Sequence, residues 1–479
     1  MTIHPKSPKQ TELALRFLIV GGGMSGLACA IALRRVGHQV TVLEQERALM
    51  TVSTPSTDPV DVLTESKNSD AGGIRMPPNL SKILFHWGLK DELRKIAIKS
   101  MAIDLCLCNT GELLGKHIWD EEVFRETRGE FIFAHHADMR NLLYDNAIAS
   151  GAKVRLGCPV VSIDPDRRTV TLASGDTMTA DVIIGADGMG GISQSVMEIE
   201  PPVAAPLNMY STTVPKAVIV NDPELTTIWK EDLVTMFSWF GNGHAVLGFP
   251  TGGSDPDFAM YVYGPVNGCE SDWRTQTPIQ GLRSVLDRCE PRLRRLGQLA
   301  KTARCVPVAE FTTVEDWVHE SGRMVLLGQA AHPIPPGSIQ DCALAIEDGA
   351  VLAKLFSHLR SEDQIGSFLW AFEELRQQRC SSVIMNECGI VQYMTLPPGE
   401  FQEGRDQSMR AKRDAGLNAL QASDDSEESP EWAEIKEVFG YDAEDEADNW
   451  WVQWGRLRER AKGVEATEIV NISLFTNTS

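Results

Sequence analysis

No stretch of this 479-residue chain approaches the ~18 consecutive apolar residues that a membrane-spanning helix needs. Its ten cysteines fall singly, apart from the C-x-C of Cys106 and Cys108. That spacing writes in neither a disulfide framework nor a zinc ribbon, and it predicts reduced thiols in a cytoplasmic protein. Basic residues are scarce: 45 Lys and Arg stand against 66 Asp and Glu, a net charge of −21. Such a chain repels phosphate backbones, and it has no basic stripe interleaved with aromatics, which excludes nucleic acid as a partner. There is no internal repeat, no catalytic triad and no cluster of metal-ligating residues in the sequence. The first residues lead from a short apolar run into glycines, so a strand is expected there, not a secretory signal. The last five, FTNTS, match no retention or peroxisomal signal.

What is present is the composition of a globular protein, 43% hydrophobic with a mean hydropathy of −0.16. The segment RFLIVG (16–21) reads as a buried strand, 24–36 as an Ala- and Leu-rich helix and HQVTVLE (38–44) as a second strand. This βαβ opening predicts an α/β fold with a parallel sheet. A Ser-, Thr-, Asp- and Pro-rich loop follows at 51–70. Helical patterns cover 78–99 and 137–149, VRLGC and TVTLAS suggest a small strand pair, and ADVIIGADG (180–188) is a buried strand ending in a turn. From about 196 to 310 the alternating strands VTMFSWF and HAVLGFP predict a sheet with one exposed face. The strand GRMVLLG (322–328) then leads through a Pro- and Gly-rich loop into a long helix. Beyond it the chain is helical, with twelve acids against Lys436 alone between Asp424 and Asp448, expected as solvated surface.

The segment GGGMSG carries the first chemical signal. Gly21 permits a tight turn, Gly23 lets a pyrophosphate approach the backbone beside Met24 and Ser25, and Gly26 lets helix and strand pack closely. Glu44, eighteen residues beyond Gly26 at the end of the second strand, is placed to accept hydrogen bonds from a ribose. The motif identifies a dinucleotide site without saying which dinucleotide.

Three further stretches, AGGIRMPPN (71–79), DVIIGADG (181–188) and GRMVLLGQAAHPIPP (322–336), follow in order. With GGGMSG they resemble the FAD-dependent aromatic hydroxylases, the single-component flavoprotein monooxygenases of the para-hydroxybenzoate hydroxylase fold. Within that family the chain resembles salicylate hydroxylase and fungal secondary-metabolism enzymes. The resemblance spans about 15 to 395 and returns at VFGYDAEDEADNW. It implies a Rossmann-like FAD domain built discontinuously from 14–85, 130–195 and 305–380. A mixed-sheet substrate domain would take 86–129 and 196–304, with a helical acidic extension at 381–479. FAD would be the bound cofactor, and NADPH or NADH a transient reductant with no Rossmann domain of its own. Oxygen would add at the flavin C4a and pass to an aromatic, polycyclic or alkene-containing small molecule.

Carried over by position, Gly21, Gly23, Gly26 and Glu44 would bind the ADP half of FAD, and Gly73 and Arg75 would lie beside the isoalloxazine. Asp187 falls in a motif tied to FAD and pyridine nucleotide. In HHADMRNLL (135–143), His136 stands where the family usually has arginine. Arg75, Pro336 and His244 form the candidate catalytic set, Arg75 because a buried guanidinium suits an anionic flavin or phenolate. Phe237, Trp239, Phe240, His244 and Phe249 are candidates for substrate contact as a set, although each alone is expected in sheet core.

The loop GQAAHPIPPGSIQDC departs from the family pattern at three places. Gln329 replaces the aspartate that grips the ribityl chain, Ile339 stands at a small-residue position, and Asp341 replaces a glycine near the flavin pyrimidine. Gln329 can still hold ribityl hydroxyls, and Asp341 is expected to cap the helix over 342–358. Two readings stay open: a working monooxygenase with a rebuilt cradle, or a retained fold performing a non-redox cyclisation or isomerisation.

Overall fold

The computed structural model describes residues 8–49, 72–200, 203–266, 276–310, 314–420, 430–455 and 457. The loop at 51–70 lies outside these residues. Five parallel strands form the first sheet, in the spatial order Met324–Leu326, Val182–Gly185, Arg16–Val20, Gln39–Leu43, Lys153–Arg155. The central strands VIIG, RFLIV and QVTVL are mostly Val, Ile and Leu, as a sheet covered by helices requires. The helices Met24–Arg35 and Asp341–Phe356 pack on one another closely. A Cβ at Gly349 would stand 2.9 Å from the Cys29 backbone, so this contact depends on glycine.

The strand in VRLGC, Lys153–Arg155, is the edge of this parallel sheet and does not pair with TVTLAS. Thr169–Leu172 pairs instead with Val160–Asp164 and Thr177–Thr179. The helical pattern at 78–99 divides into Pro78–His86, Lys90–Ile96 and a short strand Ala97–Lys99. Gly88, with φ +88°, supplies the turn that ends the first helix.

The second sheet has seven strands, ordered Arg304–Glu310, Val203–Pro215, Asp257–Pro265, Ala245–Pro250, Thr235–Phe240, Ala102–Leu107, Leu113–Ile118. Only Thr235–Phe240 and Ala102–Leu107 pair in parallel. The strand Arg304–Glu310 thus lies in this sheet, across the boundary expected at 305. The expected exposed face is absent: Thr235–Phe240 and Ala245–Pro250 are buried along their whole length. Met236, Phe240 and Phe249 face one core with Trp119 and Trp432, while Phe237 and Trp239 face another with Leu282 and Leu293. Both parities of TMFSWF carry large apolar side chains, and each finds its own partner layer.

The C-terminal helices are docked. Trp432 stacks on Trp119, and Ala443, Ala447 and Trp450 complete the core around the parallel sheet. The acids expected as solvated surface include three that fasten this segment. Asp442 pairs with Lys82, Glu444 with His86 and Asp448 with Lys354. Among the described residues, no helix is long and apolar enough to cross a membrane.

Candidate active site

A cavity of about 1410 Å³ opens at the carboxyl ends of the parallel strands and extends beneath the mixed sheet. Val20, Leu43, Ala186 and Leu327, each at or just past a strand end, line it together. Ligands of open parallel sheets bind at this edge. The volume exceeds the roughly 300–1,000 Å³ of pockets for drug-sized ligands, leaving room for a large cofactor together with a substrate.

One wall is the N-terminus of the helix Met24–Arg35. It has no acid in its first turn and no side-chain cap, so its backbone donors face the cavity uncompensated. A Cβ added at Gly23 would meet nothing within 4 Å, whereas one at Gly26 would stand 2.0 Å from the Gly21 carbonyl oxygen. Gly23 therefore keeps ligand space open, and Gly26 keeps the fold closed. The Ser25 hydroxyl is buried without a partner. Glu44 accepts hydrogen bonds from Gly22 N and Glu46 N, both at 2.8 Å. Arg140 locks the arrangement: Nη2 donates to Glu44 at 3.1 Å, Nη1 to Glu46 at 2.5 Å and Nε to the Gly22 carbonyl at 3.0 Å. Arg140 was not anticipated. Its signal lay in HHADMRNLL, four residues after His136 and hence on the same helix face. His136 lines the cavity, and burial pushes its imidazole down to about 4, so it stands there neutral.

On the opposite wall, Asp187 accepts from Ser193 N at 3.0 Å while its Oδ1 has no partner. Burial raises its pKa against that hydrogen bond. Gln194 ties Gly190 N to the Ala330 carbonyl, accepting from the first and donating to the second.

Arg75 is 4% exposed at the far end of the cavity. Its guanidinium lies 5.7 and 5.6 Å from the ring centroids of Phe249 and Tyr261. It donates to the Gly337 carbonyl and leaves Nε unpartnered. Tyr261 donates to the Gly73 carbonyl, which binds the AGGIR strand to the mixed sheet.

The rebuilt loop has an internal logic. Gln329 Nε2 donates to both carboxylate oxygens of Asp341, at 2.9 and 3.0 Å, and both residues line the cavity. Asp341 is the first residue of the helix Asp341–Phe356 and not its cap; Gln340 occupies the cap position without a side-chain capping bond, its Oε1 accepting from Asn79. The expected capping role fails because the carboxylate turns toward Gln329. Burial raises the Asp341 pKa, with the Gln329 amide opposing. Ile339 packs against the mixed-sheet core, and its backbone N–H, like that of Gln340, donates to Glu387. Beneath the loop lies a buried ionic cluster. His332 meets Asp348 at 2.7 Å, Arg376 bridges Asp348 and Glu347 at 2.8 and 2.9 Å, and Gly328 N donates to Asp348. The acids of the long helix thus anchor the loop from behind.

Two candidates leave the site. His244 sits in the turn before Ala245–Pro250, its Nδ1 on the Asn242 carbonyl, and does not line the cavity. Pro336 is buried within the loop, where its carbonyl accepts from Tyr263 at 2.9 Å. Of the proposed aromatic set, Phe249 approaches Arg75, while Phe237 and Trp239 belong to the core on the other face.

The open space at Gly23, the unpartnered Ser25 hydroxyl, Asp187 Oδ1 and Arg75 Nε, and the ribose-ready Glu44 together fit a flavin dinucleotide. The fold and cavity are those of a flavoprotein oxygenase. The chain matches the FAD binding domain family over residues 82–387 and a NAD(P)-binding Rossmann-like domain over 19–62. It belongs to the FAD binding domain family, among FAD-dependent monooxygenases. It is 27% identical to FAD-dependent monooxygenase OpS4 of Beauveria bassiana, over 82% of this chain and 89% of that protein. Hispidin-3-hydroxylase of Neonothopanus nambi is also 27% identical, over 78% and 87%. Among solved structures, CtdE in complex with FAD and a substrate superposes with a TM-score of 0.74 at 18% identity, covering 93% of this chain and all of that one. A salicylate hydroxylase substrate complex gives 0.67 at 17% identity, covering 91% and 97%.

Proposed function

We propose that the protein uses NAD(P)H and O2 to hydroxylate or epoxidise an electron-rich aromatic or alkene-containing small molecule in secondary metabolism. One observation carries this reading: a single cavity joins an anion-ready helix N-terminus to a buried arginine under two aromatic rings. Met24, Ser25 and the open space at Gly23 would hold the pyrophosphate, and Glu44, fixed by Arg140, the adenosine ribose. Asp187 and Gln329 would take the ribityl hydroxyls. Gly73, Arg75 and Asp341 would border the isoalloxazine. Bound there, FAD would supply the hydride-accepting and oxygen-transferring chemistry that side chains lack.

The chain's own residues position, neutralise and exclude water. Arg75 places a buried cation at the far end, and its unpartnered Nε suits an anionic ring oxygen of substrate or cofactor. Phe249 and Tyr261 provide the apolar wall against which a planar substrate would lie. Burial raises the Tyr261 pKa, so its hydroxyl stays protonated and keeps donating to Gly73. The relative named as a hispidin hydroxylase supports hydroxylation of a small aromatic molecule.

The test is isotopic. Purified protein supplied with FAD, NADPH or NADH, and 18O2 is incubated with a panel of phenols and polyketide-derived aromatics. One labelled oxygen atom per product supports the reading. Product formed equally without flavin or O2 would replace oxygenation by the non-redox alternative.

A further inference from the structure

Away from the cavity, Cys108, His244 and Cys289 each bring a ligand-capable atom within 4.8 Å of the other two. The three come from separate turns. Cys108 follows the strand Ala102–Leu107, His244 precedes the strand Ala245–Pro250, and Cys289 lies in the corner between the helices Gln280–Leu286 and Pro291–Leu299. Both thiols are buried and free. Sequence spacing gave no hint of the group, because 136 and 45 residues separate its members.

The imidazole is prepared for a ligand. Its Nδ1 lies 2.9 Å from the Asn242 carbonyl, which places the ring proton there and leaves a lone pair on Nε2. That Nε2 is buried and faces the Cys289 thiol, with no partner outside the group. A carbonyl holding the remote ring nitrogen is the usual support of a metal-ligating histidine. Gly241 makes the geometry possible, since a Cβ there would stand 2.6 Å from Nε2. On this side Arg292 is occupied by both oxygens of Glu290, at 2.8 and 2.5 Å, while the charge of Arg288 bears on the imidazole and disfavours its protonation. A second group of three, His332, Asp348 and Cys380, has one carboxylate in place of a thiol and differs in the decisive respect. Arg376 already supplies a cation there, with Nε on Asp348 at 2.8 Å and Nη2 on the Cys380 sulfur at 3.6 Å.

We propose that Cys108, His244 and Cys289 form a site for a soft closed-shell cation, Zn2+ or Cu+, that ties together three turns at one end of the substrate sheet. Two sulfurs and one nitrogen suit both ions. Bond lengths of about 2.3 Å to sulfur and 2.0–2.1 Å to nitrogen require the three atoms to close to roughly 3.5–3.8 Å of one another. Binding exchanges the two thiol protons, released to solvent, for one metal ion. Zn2+ would complete its tetrahedron with water, whereas Cu+ is satisfied by three ligands.

The test uses flavin-loaded protein purified without a polyhistidine tag. Zinc and copper are quantified by elemental analysis. After chelator treatment, the protein is titrated anaerobically with Co2+ as a zinc probe and with Cu+ in competition with a chromophoric chelator. About one equivalent of one ion is expected, with a thiolate-to-cobalt charge-transfer band if the site is a zinc site, or with withdrawal of Cu+ from the chelator if it is a copper site. Either signal disappears in Cys289→Ser and in His244→Ala, both of which keep their flavin. Reloading raises the thermal midpoint of the wild type by at least about 3 °C and of neither variant. Three outcomes overturn the proposal: neither ion bound by metal-free protein, a signal unchanged in both variants, or a Cys108–Cys289 disulfide in the protein as isolated.

Discussion

Two glycines three residues apart at the first turn, Gly23 and Gly26, separate binding from folding at the scale of single residues. Gly23 has φ −80°, which any residue adopts, and open space where its side chain would be. Gly23→Ala should therefore leave the thermal midpoint of the FAD-free protein within about 1 °C, yet weaken FAD binding at least about tenfold by filling the pyrophosphate space. Gly26→Ala should instead destabilise the FAD-free protein, because its methyl would overlap the Gly21 carbonyl. Calorimetry and fluorescence titration on both variants separate the two effects. These glycines and Glu44 were legible because each meets a backbone requirement close by in sequence. Gln329 and Asp341 were legible only as departures. Their mutual hydrogen bonds arise twelve residues apart, through a loop whose path one sequence does not specify. Asp341 also yields a pH test. Its folded pKa is raised, so its contribution to stability is fully present below the ordinary value of 3.8 and is lost as pH rises through the folded value. Asp341→Asn should then be more stable than the parent by a few degrees at pH 7, with the gap closing toward pH 4.

At the scale of elements, the helix Asp341–Phe356 holds the loop through charge. Burial opposes ionisation of His332, but Asp348 and Cys380 outweigh it and hold the imidazole well above its usual range. Burial likewise opposes ionisation of Asp348, while His332 and Arg376 hold its carboxylate below the usual range. The pair's stabilisation is thus full between about 3.8 and 6.5. It is lost as pH rises through the folded His332 value or falls through the folded Asp348 value. Urea denaturation across pH 4–9 should show stability declining on the alkaline side, and His332→Asn should flatten that decline. Arg376 is fully buried between Glu347 and Asp348. Arg376→Met should cost about 3–5 kcal/mol, because two buried carboxylates lose their shared cation. A loss under 1 kcal/mol would show that the cluster does not hold the loop. None of this was readable from the acidic pair alone, since its partners come from another helix and a distant strand end.

At the scale of the molecule, the parallel sheet was legible in its order of Val-, Ile- and Leu-rich runs and the glycine turn after the first. The mixed sheet was misread as half-exposed because its outer layer, the helices Gln280–Leu286 and Pro291–Leu299, lies far along the chain from the strands it covers. For the same reason the acidic C-terminal helices read as solvent-facing, although Trp432 and Trp450 carry them into both cores. What these layers enclose together is one cavity with the glycine-rich helix N-terminus at one end and Arg75 at the other. Arg75→Met should preserve FAD binding at the first and lower kcat/KM at least about tenfold at the second. The most direct test of the whole account is anaerobic mixing of the flavin-loaded protein with NADPH or NADH, with and without a turned-over phenol, followed by absorbance. The account predicts that the flavin absorbance bleaches, returns on admission of O2, and returns together with one oxygenated product when the phenol is present. A bound flavin that stays oxidised with either nucleotide, substrate present, would contradict it.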